Sequence, residues 1–168
     1  MRYVTTAMFL SMSLSVSVSV VLTTGCDTRN QLPDVPHRVT RIEDSDEEMN
    51  AAMQKAKETF HQFEKNWQRL DIEGYSIKLG LKTDHDGLEH IWFTPTKIDA
   101  NQITATCAND PVEISRLKFG DTVKVDRSAV SDWMIHENGK CYGGYTIRIL
   151  AEREPDHAPP LIYADYPE

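Results

Sequence analysis

The segment between Met49 and Leu70 has apolar residues at spacings of three and four. These residues are Met49, Ala52, Met53, Ala56, Phe60, Phe63, Trp67 and Leu70. The repeat predicts an amphipathic helix of about five or six turns, with its aromatic side chains in the core. The preceding Ser45-Asp46-Glu47-Glu48 has the pattern of a capping box, with acidic residues in the first turn.

Beyond Gly74 the period becomes two, which is typical of half-buried strands. The alternation and the intervening turn residues predict strands at residues 75–81, 89–98, 102–107, 122–126, 130–136 and 145–149. Pro95 implies an edge position or a bulge in the second strand. The last two strands are expected to join through Glu137-Asn138-Gly139.

These elements predict an α+β domain in which one N-terminal amphipathic helix packs on a strongly twisted antiparallel sheet or a small β-barrel. The folded domain is expected to occupy residues 45–150. Residues 151–168 are rich in proline and charge, and predict a surface tail. Its Leu161-Ile162-Tyr163 is expected to contact the domain or a partner.

The first 25 residues have a short basic start and then an uncharged stretch, which is typical of an export signal. They end in Leu22-Thr23-Thr24-Gly25 before Cys26, which is similar to a bacterial lipobox. We therefore expect a lipoprotein-type signal peptide over residues 1–25 and lipidation at Cys26. Plain secretion and an uncleaved membrane helix are the alternatives. Residues 26–44 contain two prolines and mixed charges without a period, and predict a tether.

The net charge is −8, and Arg2 contributes +1, so the chain from Cys26 onward carries −9. An acidic surface disfavours nucleic acid as a partner, because it cannot neutralise phosphates. It favours solubility and is compatible with a basic protein partner.

Two cysteines follow Cys26, namely Cys107 and Cys141. In an oxidising periplasm they predict a disulfide, and two buried free thiols are the alternative. A cysteine nucleophile would need a nearby base, and His136 lies five residues before Cys141. No orienting third group accompanies that pair, so we favour the disulfide.

Two short stretches carry the candidate functional residues. In HDGLEH, Glu89 and His90 have the composition of metal ligands, but on a strand they point to opposite faces, so we expect no metal or other cofactor. Further along, Asp132 and Trp133 precede a Gly143-Gly144 corner that a ligand could use. The fingerprints GxSxG, HExxH, GxGxxG and the P-loop do not occur in the chain.

The ordered pieces EHIW (from Glu89), GDTV (from Gly120), SDWM (from Ser131) and GGYT (from Gly143) together resemble the YegJ-like family of bacterial domains of unknown function. The resemblance extends over about residues 45–150, and includes the YSIK that ends at Lys78. It implies one compact domain, and marks Glu89, His90, Trp92, Asp132 and Trp133 as candidate functional positions. It implies no activity that can be transferred to this chain.

The sequence therefore predicts an envelope lipoprotein, anchored in the membrane through lipid and facing the periplasm. Its domain is expected to be a non-catalytic binding module, with an envelope protein as a possible partner and an immunity-like role as one form of that function. The alternative is a small periplasmic hydrolase that uses Glu89/His90 or Asp132/His136. Catalytic residues are not assigned by the sequence.

Overall fold

The computed structural model describes residues 46–166. The predicted signal peptide, the lipidation site at Cys26 and the tether lie outside this range. In chain order the helices and strands are α1 (Glu47–Asn66), β1 (Gly74–Lys82), β2 (Leu88–Ile98), β3 (Gln102–Cys107), β4 (Thr122–Asp126), β5 (Val130–Glu137), β6 (Lys140–Gly143), α2 (Tyr145–Arg153) and β7 (Ile162–Ala164). Short 3-10 turns lie at Arg127–Ala129 and Pro155–His157.

The seven strands form one sheet in the order β4-β3-β2-β1-β5-β6-β7. All neighbouring pairs are antiparallel except β6 and β7, which are parallel. Because β4 and β7 are edges, the sheet is open, and the small-barrel alternative is wrong. The α+β class and the N-terminal helix packed on the sheet are confirmed.

Helix α1 begins where Asp46 supplies the cap. The Asp46 carboxylate accepts the backbone N–H of Met49 at 3.0 Å, and Glu47 and Glu48 occupy the first turn. The cap therefore lies one residue after the serine of the predicted capping box. The Asp46 carboxylate also pairs with Arg153 at the end of α2, which joins the two helix termini.

The main core lies between α1 and one face of the sheet, as the aromatic repeat predicted. Phe60, Phe63 and Trp67 of α1 are buried against the sheet. Phe63 lies 6.0 Å from Trp133 between ring centroids, and Trp67 meets Tyr75 edge-on at 5.4 Å. No helix among residues 46–166 is long and apolar enough to cross a bilayer.

The register of the sheet confirms the bulge predicted at Pro95, because the β2–β3 pairing shifts between Pro95 and Lys97. The predicted strand at residues 145–149 is wrong, since these residues begin helix α2. The chain instead makes a short strand, β6, and then turns at Gly143 and Gly144, which have φ of +75° and +67°. A glycine pair tolerates these left-handed conformations, which other residues rarely adopt.

Within the segment predicted as a tail, residues 162–164 form β7 against β6. Leu161 and Tyr163 pack on a second, smaller cluster formed by Met134, Cys141 and Ile147. This cluster lies on the sheet face away from α1, which we call the second face.

Candidate functional site

The five candidate residues are divided between the two faces of the sheet. Glu89 and Trp133 point to the α1 side, where Trp133 is part of the main core. His90, Trp92 and Asp132 occupy the alternating positions and point to the second face. The structure therefore does not bring all five together.

Trp133 has a structural role in the main core. Its side chain is fully buried, and its indole N–H donates to the Ala56 carbonyl at 3.1 Å and to the Thr59 hydroxyl at 3.2 Å. A buried indole N–H needs such acceptors, so this residue fixes α1 on the sheet.

Glu89 holds the long segment between β3 and β4 against the start of β2. Its two carboxylate oxygens accept the backbone N–H groups of Val112 and Glu113, at 2.8 and 2.9 Å. These charge-assisted bonds engage both oxygens, so Glu89 fixes the backbone at Val112 and Glu113.

Asp132 is fully buried and lies at the N-terminus of α2. Its carboxylate accepts the backbone N–H groups of Trp133 (2.8 Å), Tyr145 (3.2 Å) and Thr146 (2.8 Å), and the Thr146 hydroxyl (2.5 Å). The N-cap residue itself is Gly144, which has no side chain to satisfy those N–H groups. Asp132 therefore caps α2 from another strand, where a negative charge also complements the helix dipole.

Lys78 is the residue that sequence reasoning missed. It lies on β1 directly opposite Trp92 of β2 on one side and Asp132 of β5 on the other. Its Nζ donates to the Thr146 hydroxyl at 2.7 Å and lies 4.7 Å from the Trp92 ring centroid. The Thr146 hydroxyl thus accepts from Lys78 and donates to Asp132, which links the two charges.

Burial shifts the pKa values of Lys78 and Asp132 in opposite directions. It lowers the pKa of Lys78, an effect that the neighbouring Asp132 charge opposes. It raises the pKa of Asp132, and this rise is opposed by Lys78, by Thr146 and by the backbone N–H of Trp133. The four hydrogen bonds that Asp132 accepts favour its carboxylate form.

His90 reaches across β1 to contact β5. Its ring covers Gly80, the residue opposite it, where a Cβ would lie 3.1 Å from His90 Cε1. Its Nδ1 is 2.8 Å from the Ser131 hydroxyl, which itself donates to the Lys78 carbonyl at 3.3 Å. Burial, and then the charges of Lys78 and Lys57, lower the pKa of His90.

Neither pair of the hydrolase alternative is assembled. Glu89 and His90 are neighbours on one strand and point to opposite faces. Asp132 and His136 are four residues apart on β5, which is about 13 Å along a strand. In the range 46–166 there is no group of three or more His, Cys, Asp or Glu residues that could hold a metal ion.

The predicted disulfide between Cys107 and Cys141 is wrong for this fold, in which both are buried free thiols. They lie on β3 and β6, which β2, β1 and β5 separate, so they are about 19 Å apart across the sheet, whereas a disulfide needs about 4.4–6.8 Å between Cα atoms. His136 lies directly opposite Cys141, as their separation of five residues in the sequence predicted. Burial nevertheless raises the pKa of Cys141 to about 12, so it is a thiol rather than a nucleophilic thiolate at neutral pH.

The fold and the site together define an α+β domain with α1 on one sheet face and a buried lysine–aspartate pair on the other. The chain belongs to the family described as "Uncharacterized protein conserved in bacteria (DUF2314)", whose model matches residues 46–158. The family resemblance found in the sequence is confirmed by a relative from Escherichia coli (strain K12), "Uncharacterized protein YegJ". That relative is 29% identical over 107 residues, which is 64% of this chain and 69% of the relative.

A second relative is the "Putative ankyrin repeat protein NMB1133/NMB1171" of Neisseria meningitidis serogroup B (strain ATCC BAA-335 / MC58). It is 33% identical over 118 residues, which is 65% of this chain and 47% of the relative, so the match spans about half the length of that protein. No solved structure matches the chain.

Proposed function

We propose that this protein is a lipid-anchored protein of the bacterial envelope whose domain is a non-catalytic binding module facing the periplasm. The export-type leader, the lipobox-like sequence before Cys26 and the tether-like composition of residues 26–44 support the anchor and the address. An acidic chain favours a basic surface on the partner protein.

The observation that supports the binding role is that the second face combines a buried polar network with half-buried aromatic side chains. Lys78, Asp132 and Thr146 bind one another in the interior, so they form a rigid support. The half-buried Trp92 and His90 lie at the margin of this support and retain exposed surface. A tryptophan held by a rigid network is a typical anchor of a protein interface, because little conformational entropy is lost when it binds.

A crosslinking experiment on the full-length protein tests this role. We expect crosslinking in intact cells to recover an envelope protein with the wild type, and Trp92→Ala to abolish that adduct. Phe119→Ala is the matched control, because Phe119 is also aromatic and is 65% exposed in the segment between β3 and β4. Equal loss of the adduct in both variants, or turnover of a substrate that Trp92→Ala abolishes, contradicts the proposal.

The anchor has a separate test. Cys26→Ser should abolish metabolic labelling with a fatty acid and release the protein from membranes. Persistent acyl labelling in this variant contradicts lipidation at Cys26 and leaves the binding experiment unaffected.

A further inference from the structure

The edge of β6 is covered by a short strand from the end of the chain. We call residues 158–166 the C-terminal strap. Within it, β7 pairs with β6 in parallel, and Lys140, Cys141 and Tyr142 lie opposite Ile162, Tyr163 and Ala164. β7 has only three residues, which is a minimal strand, and the first of them, Ile162, is 67% exposed.

Side-chain contacts add to the attachment of the strap. Tyr166 stacks on Tyr142 with 4.1 Å between ring centroids, and its hydroxyl donates to Glu137 at 3.1 Å. Arg148 of α2 donates to the Ala164 carbonyl at 2.7 Å and pairs with Asp165 at 3.0 Å. The β6 edge therefore offers a backbone ladder, an aromatic platform and a guanidinium that binds a carbonyl and a carboxylate.

One group of the strap is poorly accommodated. The Tyr163 hydroxyl is buried and has no hydrogen-bond partner among residues 46–166. A buried hydroxyl without a partner has lost its hydration without compensation, which opposes closure of the strap. A phenylalanine in that place would fill the same space without this cost.

We propose that the β6 edge is a docking site for an extended peptide segment of a partner protein, and that the C-terminal strap closes it in cis as an autoinhibitory strand. This inference rests on the proposed binding function and names its partner chemistry. The partner strand runs parallel to β6, as β7 does. It carries phenylalanine at the position of Tyr163, a small residue next, an acidic residue opposite Arg148 and an aromatic residue on Tyr142.

Cys141 provides a built-in reporter of strap opening. It lies opposite Tyr163 and is fully buried, whereas Cys107 is buried in the main core four strands away. Local opening of the strap exposes Cys141 alone, whereas global unfolding exposes both thiols. Alkylation of the folded full-length chain, followed by peptide mass mapping, therefore separates the two processes, with Cys107 as the internal control.

Two variants should shift the equilibrium between the closed and the open strap in opposite directions. Tyr166→Ala removes the stacking on Tyr142 and on Trp133, and we expect Cys141 to be alkylated at least about fivefold faster with Cys107 unchanged. Tyr163→Phe removes the unpartnered hydroxyl, and we expect Cys141 alkylation to slow by roughly 5- to 30-fold. Ile162→Ala is the matched control in the same strand, because its exposed side chain should leave the rate unchanged.

The docking claim is tested with a fluorescent synthetic peptide of residues 158–166 that carries Tyr163→Phe. We expect it to bind the Tyr166→Ala chain more tightly than the wild type and to protect Cys141 again, whereas a scrambled peptide does neither. The proposal is overturned if the peptide fails to protect Cys141, if Cys141 and Cys107 become reactive together, or if the Tyr166→Ala chain only exchanges strands into a dimer. The crosslinking experiment with Trp92→Ala tests the proposed function, and it does not depend on Cys141 alkylation or on the peptide. Failure of the proposed function and failure of this inference are therefore distinguishable.

Discussion

Lys78 and Asp132 face each other across β1 and β5 and are joined through the hydroxyl of Thr146. Both side chains are buried, so neither charge can be hydrated if the other is removed. Their position ties three elements together, because Thr146 belongs to the first turn of α2. The pair therefore holds the first turn of α2 against β1 and β5.

We predict that Asp132→Ala lowers the free energy of unfolding by about 3–5 kcal/mol, because it leaves a buried lysine unpaired and removes the cap of α2. Urea unfolding followed by tryptophan fluorescence measures the change. The matched control is Asp99→Ala, which removes the exposed partner of Lys97 and should cost at most about 1 kcal/mol.

The double variant Lys78→Met with Asp132→Asn sharpens this prediction. Removing both charges should cost less than the sum of the two single changes, because neither charge is then left alone in the interior. Additive losses would mean that the two residues act independently, which would contradict the coupling through Thr146.

The second prediction concerns pH. Burial lowers the pKa of His90 and of His136 from 6.5, and for His136 the charge of Glu73 partly opposes this effect. In the folded state these imidazoles therefore bind fewer protons than in the unfolded chain. Above pH 6.5, which is the pKa of these histidines in the unfolded chain, the two groups should not affect the free energy of unfolding. Below pH 6.5 the free energy of unfolding should fall, because the unfolded chain then binds protons that the folded chain does not.

Urea unfolding measured between pH 5 and pH 8 tests this slope, a window that contains the ordinary histidine pKa of about 6.5. His90→Gln should flatten part of the dependence, because glutamine does not titrate. His85→Gln serves as control, since His85 is exposed in the turn between β1 and β2. An unchanged slope in His90→Gln would show that His90 does not contribute to it.

Much of the fold is predictable because its strongest patterns are local. The spacing of three and four in α1 reports a helix with one buried face, and the bounds of β3 and β4 match their predicted ranges. The strand prediction at 145–149 is wrong because five residues are too few for a period of two to distinguish a strand from the start of a short helix. What decides its conformation is the cap from Asp132, which lies 13 and 14 residues from Tyr145 and Thr146.

The candidate site was only partly predictable for the same reason. The sequence singles out Asp132 as a candidate functional residue, whereas its partner Lys78 occupies a strand position where a polar residue is usually solvated. The hydrogen bond from Lys78 to Thr146 spans 68 residues of sequence, so no local pattern reports it. The disulfide prediction failed likewise, since the count of cysteines carries no information on strand order.

The third prediction concerns Glu89 and the segment that follows β3. Glu89→Gln replaces one acceptor oxygen by an N–H₂ group that faces a backbone N–H, so it should cost about 1–3 kcal/mol. Hydrogen exchange should accelerate at the amides of Val112 and Glu113 first. Glu152→Gln on the exposed side of α2 is the control and should leave these amides unchanged.

The last prediction compares two glycines that share a positive φ. Gly143 has φ of +75° and Gly139 has φ of +70°, so alanine carries the same backbone strain of about 1–2 kcal/mol at either position. A Cβ at Gly143 would overlap the Trp133 carbonyl and lie 2.6 Å from Trp133 Cε3, whereas a Cβ at Gly139 meets no atom within 4 Å among the described residues. Gly139→Ala should therefore cost about 1–2 kcal/mol in urea unfolding, and Gly143→Ala more than about 4 kcal/mol, because the turn into α2 cannot retract from the core. Equal losses would show that φ strain alone, and not the close approach to Trp133, requires glycine at position 143.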